Sequence, residues 1–390
     1  MSKRPDNVLP LSHELRAFLQ AIKDSPDEEG PRFIFADWLD EHGDPRGKLM
    51  RAQCQLEAPQ ENDPQRHELQ QEVSSALQTL SPWLDDRPIW RGDWKSHRGL
   101  LTFWVNVHLD FENRWQALLE HEWWPWVDYL HVYARTIDSV MTLVESPQLS
   151  NLNSLNLWNN PVNVATAKAL AQSPHVRNLI SLKLSRTSVG NAGVEALAVS
   201  PSLGNLRRLE LSYAILGTAG IEALAESKVL TDLRILNLSY NHVGDDGIES
   251  FASSPIVKEL RVLDLSGAQL GDQGAVALAS TPSLSNLQVL HLQHNEIGDR
   301  GAEAIAQSPY LRNLTRLYLG NNPNLANAGA MALAGSPLLR NLTLLNLTDT
   351  PITEEGWQAF EHSPYLTNPH VVWGANWHFY QGSRDPSEGA

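Results

Sequence analysis

The side chains that could do chemistry are few and scattered along the chain. His121 and Glu122 begin a zinc-protease-like pair, but two tryptophans follow where the second histidine ligand would be needed. His291 and His294 fall on one strand segment, yet no carboxylate or thiol is fixed beside them, and a metal site needs several ligands. The nucleophile, dinucleotide and phosphate-binding motifs of common enzymes are missing from the sequence. We therefore expect a protein that is not an enzyme and has no catalytic residues, cofactor or metal.

A group of acidic residues near the N-terminus is a further candidate for metal binding or acid–base chemistry. It consists of Asp37, Asp40, Glu41 and Asp44, flanked by Arg32, Arg46 and Arg51. The first three lie at i, i+3 and i+4, on one face of a predicted helix. Because acidic residues among arginines usually form solvated ion pairs, we predict ion pairs and not a reactive site.

Composition limits the partners and the compartment. The chain has 390 residues, 42% hydrophobic and 19% charged, and a net charge of −15. Such a charge repels phosphate backbones and anionic lipid, so it favours a basic or neutral protein partner over nucleic acid or a membrane. The single cysteine, Cys54, excludes an internal disulfide framework and is expected to be a free buried thiol. With neither a signal peptide nor a membrane span visible, a cytoplasmic protein is expected.

The elements that would position any site follow from an internal repeat. A pattern of three leucines, L-x-x-L-x-L, starts eight times, with a spacing of 27 residues except for one of 28. The starts are Leu152, Leu179, Leu206, Leu233, Leu260, Leu287, Leu314 and Leu342. Each unit changes from a period of two to a period near 3.6, as in Leu236 and Leu238 followed by Ile248, Phe251 and Ala252, which predicts a strand followed by a helix.

Each repeat also carries turn residues at fixed places. A G-x-x-G motif, such as Gly271 to Gly274, lies between strand and helix and is explained better by turn geometry and close packing than by phosphate binding. A Ser-Pro or Thr-Pro pair ends most helices. The position eight residues after each start is asparagine in four repeats: Asn160, Asn241, Asn295 and Asn322. Side chains at this position are expected to form hydrogen bonds with the chain's own backbone and not with a ligand.

These residues resemble leucine-rich repeats of the ribonuclease-inhibitor type, over about residues 127–368. The resemblance implies an α/β fold, a leucine-rich-repeat solenoid shaped as a horseshoe, with parallel strands on the concave side and helices on the convex side. Segments 101–107 and 127–133 alternate like strands without the leucines and are predicted to be capping units. Residues 371–380 form an aromatic stretch that we interpret as the C-terminal cap.

The N-terminal part is predicted to be a small all-α domain. Three helices are expected within residues 12–58: one capped by Ser12, one opened by Ser25 to Glu28 and closed by Gly43, and one opened by Asp44 and Pro45. The string 31–47 with 49–53 after it resembles the repeat-companion domain found ahead of repeat arrays in certain bacterial proteins, a family with no assigned activity.

A helix over 64–80 and an irregular tryptophan-rich connection should follow these helices. Eight of the 13 tryptophans lie between Trp83 and Trp126. They could form a ligand cage or an interface, but we favour a seal between the helical domain and the first repeat. The predicted domains are 1–62 (helical), 63–98 (helix and connector), 99–151 (N-terminal capping repeats), 152–368 (eight repeats) and 369–390 (C-terminal cap and tail).

Strand residues between the leucines are expected to point away from the core, onto the concave surface. A run of four serines, Ser185, Ser212, Ser239 and Ser266, is predicted to form a flat floor there. Around it, ten residues are predicted to contact a protein partner: Trp158, Lys183, Arg186, Glu210, Tyr213, Tyr240, Asp264, His291, His294 and Tyr318. The resulting hypothesis is a non-catalytic interaction scaffold. The alternatives are a GTPase-activating or similar regulatory protein, for which Arg186 or Asn321 could be the presented residue, and a substrate adaptor that docks through its N-terminal helices.

Overall fold

The computed structural model describes residues 4–25, 28–57, 65–84, 92–106, 121–366 and 370–372. The chain divides into two compact units. The first unit comprises residues 1–189 and 199–209, and the second comprises residues 190–198 and 210–390. Within the described ranges, none of the helices is long and apolar enough to cross a membrane.

The first unit begins with helices, as predicted. They are α1 (His13–Asp24), α2 (Gly30–Glu41), α3 (Pro45–Glu57) and α4 (Arg66–Leu84). Ser12 caps α1, since its hydroxyl accepts a hydrogen bond from the Leu15 N–H at 3.1 Å. Helix α2 begins later than predicted, with Pro31 in its first turn, where the missing N–H and fixed φ of proline are tolerated. The predicted boundary at residues 62 and 63 lies outside the described residues.

A hairpin follows that the sequence did not predict. Strand β1 (Gly92–His97) pairs antiparallel with β2 (Leu100–Asn106). The two residues of the turn, Arg98 and Gly99, both have positive φ, 47° and 81°. This is the backbone that two-residue hairpins require, but Arg98 occupies a position where asparagine or aspartate is the usual signal. The prediction of an irregular connection is therefore wrong for residues 92–98.

The remaining strands of the first unit are parallel and follow chain order. They are β3 (Val127–Tyr133), β4 (Ser154–Asn156) and β5 (Ser181–Lys183), and β2 pairs with β3. Both predicted capping segments are thus strands. The pairing of β2 with β3 shifts register between Leu101 and Thr102, so that Asp128 is an extra residue in β3.

The second unit repeats the same arrangement. Its strands are β7 (Ile235–Asn237), β8 (Val262–Asp264), β9 (Val289–His291), β10 (Arg316–Tyr318), β11 (Leu344–Asn346) and β12 (His370–Val372). Strand β6 (Arg208–Glu210) crosses the division between the units. The central leucines of β7 to β11 are in register and fully buried. Strands β4 to β11 start where the repeat places them, which confirms the prediction of a leucine-rich-repeat solenoid. Beyond β12, the predicted C-terminal cap and tail lie outside the described residues.

One helix follows each of the strands β3 to β11 and packs its apolar face inward. The helices are α5 (Ile137–Val144), α6 (Val164–Gln172), α7 (Gly190–Ala198), α8 (Thr218–Ala225), α9 (Gly244–Ala252), α10 (Asp272–Ala279), α11 (Asp299–Gln307), α12 (Asn327–Ala334) and α13 (Glu354–Glu361). The predicted face of α9, Ile248, Phe251 and Ala252, is buried. Proline does more than end these helices, because it also opens a short 3₁₀ turn, as at Pro255–Val257.

Two of the G-x-x-G motifs make room for a carboxylate of the preceding repeat, Asp245 beside Gly271 and Gly274 and Asp272 beside Gly298 and Gly301. The Oδ1 atom of Asp272 accepts hydrogen bonds from Gly298 N–H and Gly301 N–H, both at 2.8 Å. A Cβ added to Gly301 would lie 2.8 Å from that oxygen. Each such acid therefore satisfies free donors at the N-terminus of the next helix. The structural interpretation of the glycines is confirmed, whereas this capping role of the acids was missed.

The asparagine column is internal, as predicted. The side chain of Asn295 is 3% exposed. Its Oδ1 accepts from the N–H groups of Ala268 and Leu270, both at 3.0 Å, and its Nδ2 donates to the carbonyls of Leu265 and Leu292. The asparagine thus fixes the turn of its own repeat to the turn of the preceding one. Ala268 occupies the same column in the preceding repeat. Because the side-chain amide of Asn295 already bonds the backbone of both turns, Ala268 needs no polar side chain.

Tryptophans bury the junction between the helices and the strands in the first unit. Trp123, Trp124 and Trp126 are each at most 2% exposed. The ring of Trp126 stacks on that of Phe35 in α2, with centroids 5.4 Å apart. The seal that we favoured is thus confirmed for Trp126, whereas the ring of Trp123 stacks on that of Phe103 in β2. Trp90 and Trp115 lie outside the described residues.

The acidic group near the N-terminus only partly matches its prediction. Arg51 pairs with Asp37 at 2.6 Å and with Asp40 at 2.7 Å, in the partly exposed manner expected. Asp44 is different, because its side chain is completely buried and pairs with buried Arg46 at 2.6 Å. The prediction of a solvated pair is wrong for these two residues. Asp44 also accepts a backbone hydrogen bond from Leu9 at 2.7 Å, so the surrounding chain compensates the cost of burying the charge.

The buried ionisable groups of this unit also include Cys54 and Lys23. Cys54 is a free buried thiol, as predicted, and burial raises its pKa. Lys23 at the end of α1 donates to the carbonyls of Pro125 and Val127, at 2.7 and 3.3 Å. Burial lowers the pKa of Lys23 to about 8, against a smaller opposing effect of Asp128.

The low pKa of Lys23 predicts a pH-dependent stability. In the unfolded chain the lysine titrates near 10.4, so between about pH 8 and pH 10.4 unfolding takes up a proton and higher pH stabilises the fold. We expect the free energy of unfolding of the wild type, relative to Lys23→Met, to rise by about 3 kcal/mol over this range. Urea titrations followed by tryptophan fluorescence at pH 7, 8, 9 and 10 measure it. If the difference in free energy of unfolding between the wild type and Lys23→Met stayed constant across these pH values, the Lys23 ammonium would not be desolvated in the fold.

Candidate protein-interaction surface

The face of the sheet opposite the helices carries partly exposed side chains. In β8 the central residue Leu263 is fully buried, while Val262 and Asp264 on either side of it are half-buried. Successive side chains of a strand point to opposite faces, so these flanking residues lie away from the helices. We call this surface the strand face. The same burial pattern recurs in β7, β9 and β10.

Five predicted contact residues do not lie on strands: Trp158, Arg186, Tyr213, Tyr240 and His294. Each strand of the repeats has three residues, and the chain turns after it. Arg186, Tyr213, Tyr240 and His294 stand in these turns with φ between 52° and 58°, in the left-handed region. We call this set of equivalent positions the turn column: Asn159, Arg186, Tyr213, Tyr240, Gly267, His294, Asn321 and Asp349. Non-glycine residues rarely adopt this conformation, because the Cβ approaches the following carbonyl. The turn column therefore holds these side chains on a constrained backbone.

In the first unit, Trp158, Lys183 and Arg186 occupy the strand face and its edge. The guanidinium of Arg186 lies over the ring of Trp158, 5.8 Å from the centroid. Arg186 is exposed, whereas Trp158 and Lys183 are half-buried. The three residues thus share one surface, as predicted.

His131 belongs to the same face and was missed. It lies in β3, in register with Asn156, and its ring is 4.3 Å from that of Tyr133. Burial, reinforced by the positive charge of Lys183, lowers its pKa to about 4, so the imidazole is neutral at physiological pH. Because β3 keeps only one of the three repeat leucines, Leu130, this histidine could not be placed in register with the repeats from the sequence.

In the second unit, aromatic side chains form two groups. Tyr213 and Tyr240 stack with centroids 4.4 Å apart and an interplanar angle of 10°. They are 44% and 39% exposed, respectively. His291 and Tyr318, which are in register on β9 and β10, stack at 4.2 Å. The structure thus stacks residues that the sequence placed only as neighbours within the same column.

The turn column is interrupted at Gly267. A Cβ added there would lie 2.7 Å from Cδ1 of Tyr240, so the tyrosine ring occupies the space above the glycine. The centroids of Tyr240 and His294 are 6.0 Å apart, with rings inclined at 41°. The sequence shows that this column contains a glycine. That the ring of Tyr240 leans over this glycine is visible only in the tertiary structure.

Two carboxylates accompany the aromatic groups. Glu210 and Asp264 are both half-buried. In the sheet, Asp264 lies opposite Asn237 of strand β7 on one side and opposite His291 of strand β9 on the other. Its Oδ1 accepts from the N–H and hydroxyl of Ser266, at 2.9 and 2.7 Å. The pKa of the Tyr240 phenol is raised by burial first, then by Tyr213 and Asp264. The carboxylate is thus close enough to act on the tyrosine electrostatically.

The serine floor is less accessible than predicted. Ser185, Ser239 and Ser266 are at most 7% exposed, while Ser212 is half-buried. The hydroxyl of Ser239 donates to Oδ1 of Asn237 at 2.7 Å. The hydroxyl of Ser266 likewise donates to Oδ1 of Asp264. Because all three of these serines are buried, their prediction as part of a contact floor is wrong.

The two histidines considered as metal ligands, His291 and His294, lie in different columns of the repeat: His291 is on strand β9 and His294 is in the turn column. His291 stacks on Tyr318, and His294 leans towards Tyr240. Among the residues that the structure describes, no group of three or more histidine, cysteine or acidic side chains could hold a metal ion.

Five segments of the chain match the model of the family described as Leucine Rich repeat. The matched residues are 175–198, 229–252, 259–279, 283–306 and 310–334. The chain therefore carries leucine-rich repeats, and these segments fall on the helices and strands described above. Among curated proteins, none matches the sequence.

Solved structures with similar folds include two from different organisms. A chain of the yeast Rad7 and Elc1 complex is 16% identical with a TM-score of 0.46, over 67% of this chain and 70% of that chain. An internalin, InlF, from Listeria monocytogenes is 17% identical with a TM-score of 0.36, over 70% of this chain and 86% of that chain.

Proposed function

We propose that this leucine-rich-repeat protein is a non-catalytic scaffold that binds a protein partner on the strand face and turn column of its second unit. Leucine-rich repeats commonly mediate protein–protein interaction, and five of them match here. The residues assigned to contact in this unit are Glu210, Tyr213, Tyr240, Asp264, His291, His294 and Tyr318. Trp158, Lys183 and Arg186 are assigned the same role in the first unit.

The observation that carries this proposal is the exposed stack of Tyr213 and Tyr240. Large aromatic side chains normally stabilise a protein by being buried, and tyrosine is enriched among residues that dominate binding energy. Here two rings stack on each other while about two-fifths of each remains exposed. Their backbone is also held in the left-handed region. A pre-ordered, amphipathic pair loses little conformational entropy when a partner covers it.

The charge of the second unit supports a basic or neutral partner. Its sequence contains 20 acidic and 9 basic residues. This field attracts cationic proteins and repels nucleic acid and anionic lipid.

We further infer that the repeats are of the ribonuclease-inhibitor type, because a strand and a complete helix alternate at a spacing of about 27 residues. Residues 1–62 are interpreted as a repeat-companion domain of a bacterial protein. The single buried thiol of Cys54 fits the reducing cytoplasm, which we propose as the place of action.

Affinity capture with full-length protein tests the scaffold function. We expect the wild type to retain at least one partner whose recovery falls about tenfold or more in Tyr213→Ala/Tyr240→Ala, since each ring is in a hot-spot position. Quantitative mass spectrometry of the retained proteins measures this recovery. Tyr365→Ala is the matched control, because Tyr365 is 40% exposed but lies after helix α13 and outside the turn column. Equal recovery with the double variant and the wild type would contradict the proposal.

A further inference from the structure

Charges in the second unit are divided between the two ends of its strands. Because β7 to β11 are parallel and in register, the loops before them lie along one edge and the loops after them along the other. Exposed acids such as Asp246, Glu296 and Asp349 stand after the strands or at the start of the following helix. The loops before β8 to β11 instead contain four basic residues and one acid, Glu259. The negative charge of the unit thus conceals a positive edge.

The four basic residues are Lys258, Arg261, Arg312 and Arg340, which we call the basic edge. All four are exposed, and none of them forms an ion pair within the parts of the chain that the structure describes. Lys258, Arg312 and Arg340 are equivalent, since each stands two residues before the first leucine of its repeat. Strands of a sheet lie about 4.8 Å apart, so the row from Lys258 to Arg340 spans about 15 Å.

Asparagines hold the backbone of the basic edge in place. Nδ2 of Asn286 donates to the carbonyl of Lys258, and Nδ2 of Asn341 donates to that of Arg312, both at 2.9 Å. Each of these asparagines belongs to the repeat that follows the basic residue. The asparagines thus fix the spacing of the row at its backbone, while the charged ends of the side chains reach solvent.

Stabilisation of the helices does not explain these cations. A cation favours a helix when it lies in the last turn, and the effect falls off beyond that turn. Helices α7 to α13 all lack a basic residue in their last turn. Lys258 and Arg340 follow α9 and α12 only after a further 3₁₀ turn. The basic edge is thus accounted for neither by ion pairs within the described chain nor by the helix dipoles.

We propose that the basic edge binds a short acidic segment of a protein. This site goes beyond the function proposed above, because it lies at the opposite end of the strands from the turn column. The guanidinium groups of Arg312 and Arg340 each offer paired donors that match a carboxylate. An extended chain rises about 3.3 Å per residue, so about five residues of the ligand cover the row.

A nucleic acid fits the basic edge less well than an acidic peptide does. Its strand carries a phosphate at every nucleotide and would run past the row onto the rest of the unit. The sequence of that unit contains 20 acidic and 9 basic residues, so the phosphates beyond the row are repelled. A short peptide segment keeps its charges within the row.

Fluorescence anisotropy of the full-length protein with labelled hexaglutamate at low ionic strength tests this site. We expect hexaglutamate to bind and hexaglutamine, the uncharged control, not to bind. The net charge of −15 repels an acidic peptide, so any affinity must come from a local positive surface. Arg312→Gln should weaken binding about threefold and Arg312→Gln/Arg340→Gln about tenfold, since each exposed ion pair contributes little by itself.

Arg300→Gln is the matched control for Arg312→Gln. Arg300 is also exposed in the second unit, but it lies in the first turn of α11, on the side of the loops that follow the strands. Its removal lowers the net positive charge by the same amount and should change the affinity for hexaglutamate less than about twofold, because charges away from the ligand are screened. Far-ultraviolet circular dichroism checks that each variant is folded.

Several results would overturn the basic edge as a peptide site. Absence of hexaglutamate binding would remove it, and equal weakening by Arg312→Gln and Arg300→Gln would show a general charge effect. An oligothymidylate that binds more tightly than hexaglutamate, and is lost in the double arginine variant, would assign the edge to nucleic acid. Tyr213→Ala/Tyr240→Ala should keep its affinity for hexaglutamate even where partner capture is lost. Loss of hexaglutamate binding in this variant would instead place the peptide on the turn column.

Discussion

Replacement of Asp44 by alanine is expected to destabilise the first unit by about 3–5 kcal/mol. The carboxylate is fully buried, and it is hydrogen-bonded on both oxygens. Oδ1 accepts from Nε and the backbone N–H of Arg46, at 2.9 and 3.0 Å, while Oδ2 accepts from Nη2 of Arg46 and the N–H of Leu9. Without the carboxylate, the Arg46 guanidinium stays buried with its charge uncompensated. Equilibrium urea unfolding, followed by tryptophan fluorescence, measures the loss.

The effect should extend to the packing of the helices against the strands. Arg46 lies over the ring of Trp126, 4.0 Å from its centroid, and donates to the carbonyl of Leu9 at 3.0 Å. Trp126 also stacks on Phe35. One arginine thus links the N-terminal segment, helix α3 and the tryptophan cluster. We expect the near-ultraviolet circular dichroism of the buried tryptophans to decrease in the variant.

Asp37→Ala is the matched control for the Asp44 variant. Asp37 also pairs with an arginine, at 2.6 Å, but its side chain is 63% exposed. A pair in water contributes little, so this variant should cost less than about 1 kcal/mol. If both variants lost the same stability, burial of the ion pair could not be the reason for the larger effect.

Replacement of Asn295 by alanine should cost about 3–4 kcal/mol in the second unit, because it removes several buried hydrogen bonds at once. The N–H groups of Ala268 and Leu270 and the carbonyls of Leu265 and Leu292 would lose this buried partner. Urea unfolding monitored by far-ultraviolet circular dichroism measures the change.

Thr350→Ala provides the comparison within the same column of repeats. The hydroxyl of Thr350 donates to the carbonyl of Leu347 at 2.8 Å and the residue is half-buried. Loss of one such bond should cost about 1 kcal/mol. A loss for Asn295→Ala no greater than that of Thr350→Ala would mean that water replaces the amide in the turn.

The asparagines also connect the fold to the proposed surface. Asn241 accepts from the N–H of Ala214, directly after Tyr213, and Asn295 accepts from the N–H of Ala268, directly after Gly267. The bonds thus fix the turns that carry the turn column. Weakening of partner binding in Asn295→Ala would follow from this link, without any contact between the asparagine and the partner.

Much of the fold was predictable because it repeats. The three-leucine pattern placed all eight strands, and the apolar stripe of Ile248, Phe251 and Ala252 placed a helix face correctly. Where the repeat is absent, prediction was weaker. The hairpin of β1 and β2 was missed, and His131 in β3 could not be assigned to a surface.

The candidate surface was predictable as a list of residues but not as an arrangement. Tyr213 and Tyr240 were identified from their columns, whereas their stacking depends on the left-handed backbone of the turns. The serines were predicted to be exposed because the alternation of inward and outward side chains was assumed to continue beyond the three residues of each strand. Only the tertiary structure shows that the hydroxyls of Ser239 and Ser266 donate hydrogen bonds to the side chains of Asn237 and Asp264, respectively.

By itself, the sequence determined the repeat period, the order of strands and helices, and the internal role of the asparagine column. These are local properties, set by side-chain spacing within about 27 residues and copied from one repeat to the next. Tertiary structure decided the burial of Asp44 with Arg46, the carboxylate hydrogen bonds across two of the G-x-x-G turns, and the packing of the Tyr240 ring over Gly267. Each of these joins groups from different segments or repeats, so its energy depends on distances that no single stretch of sequence encodes.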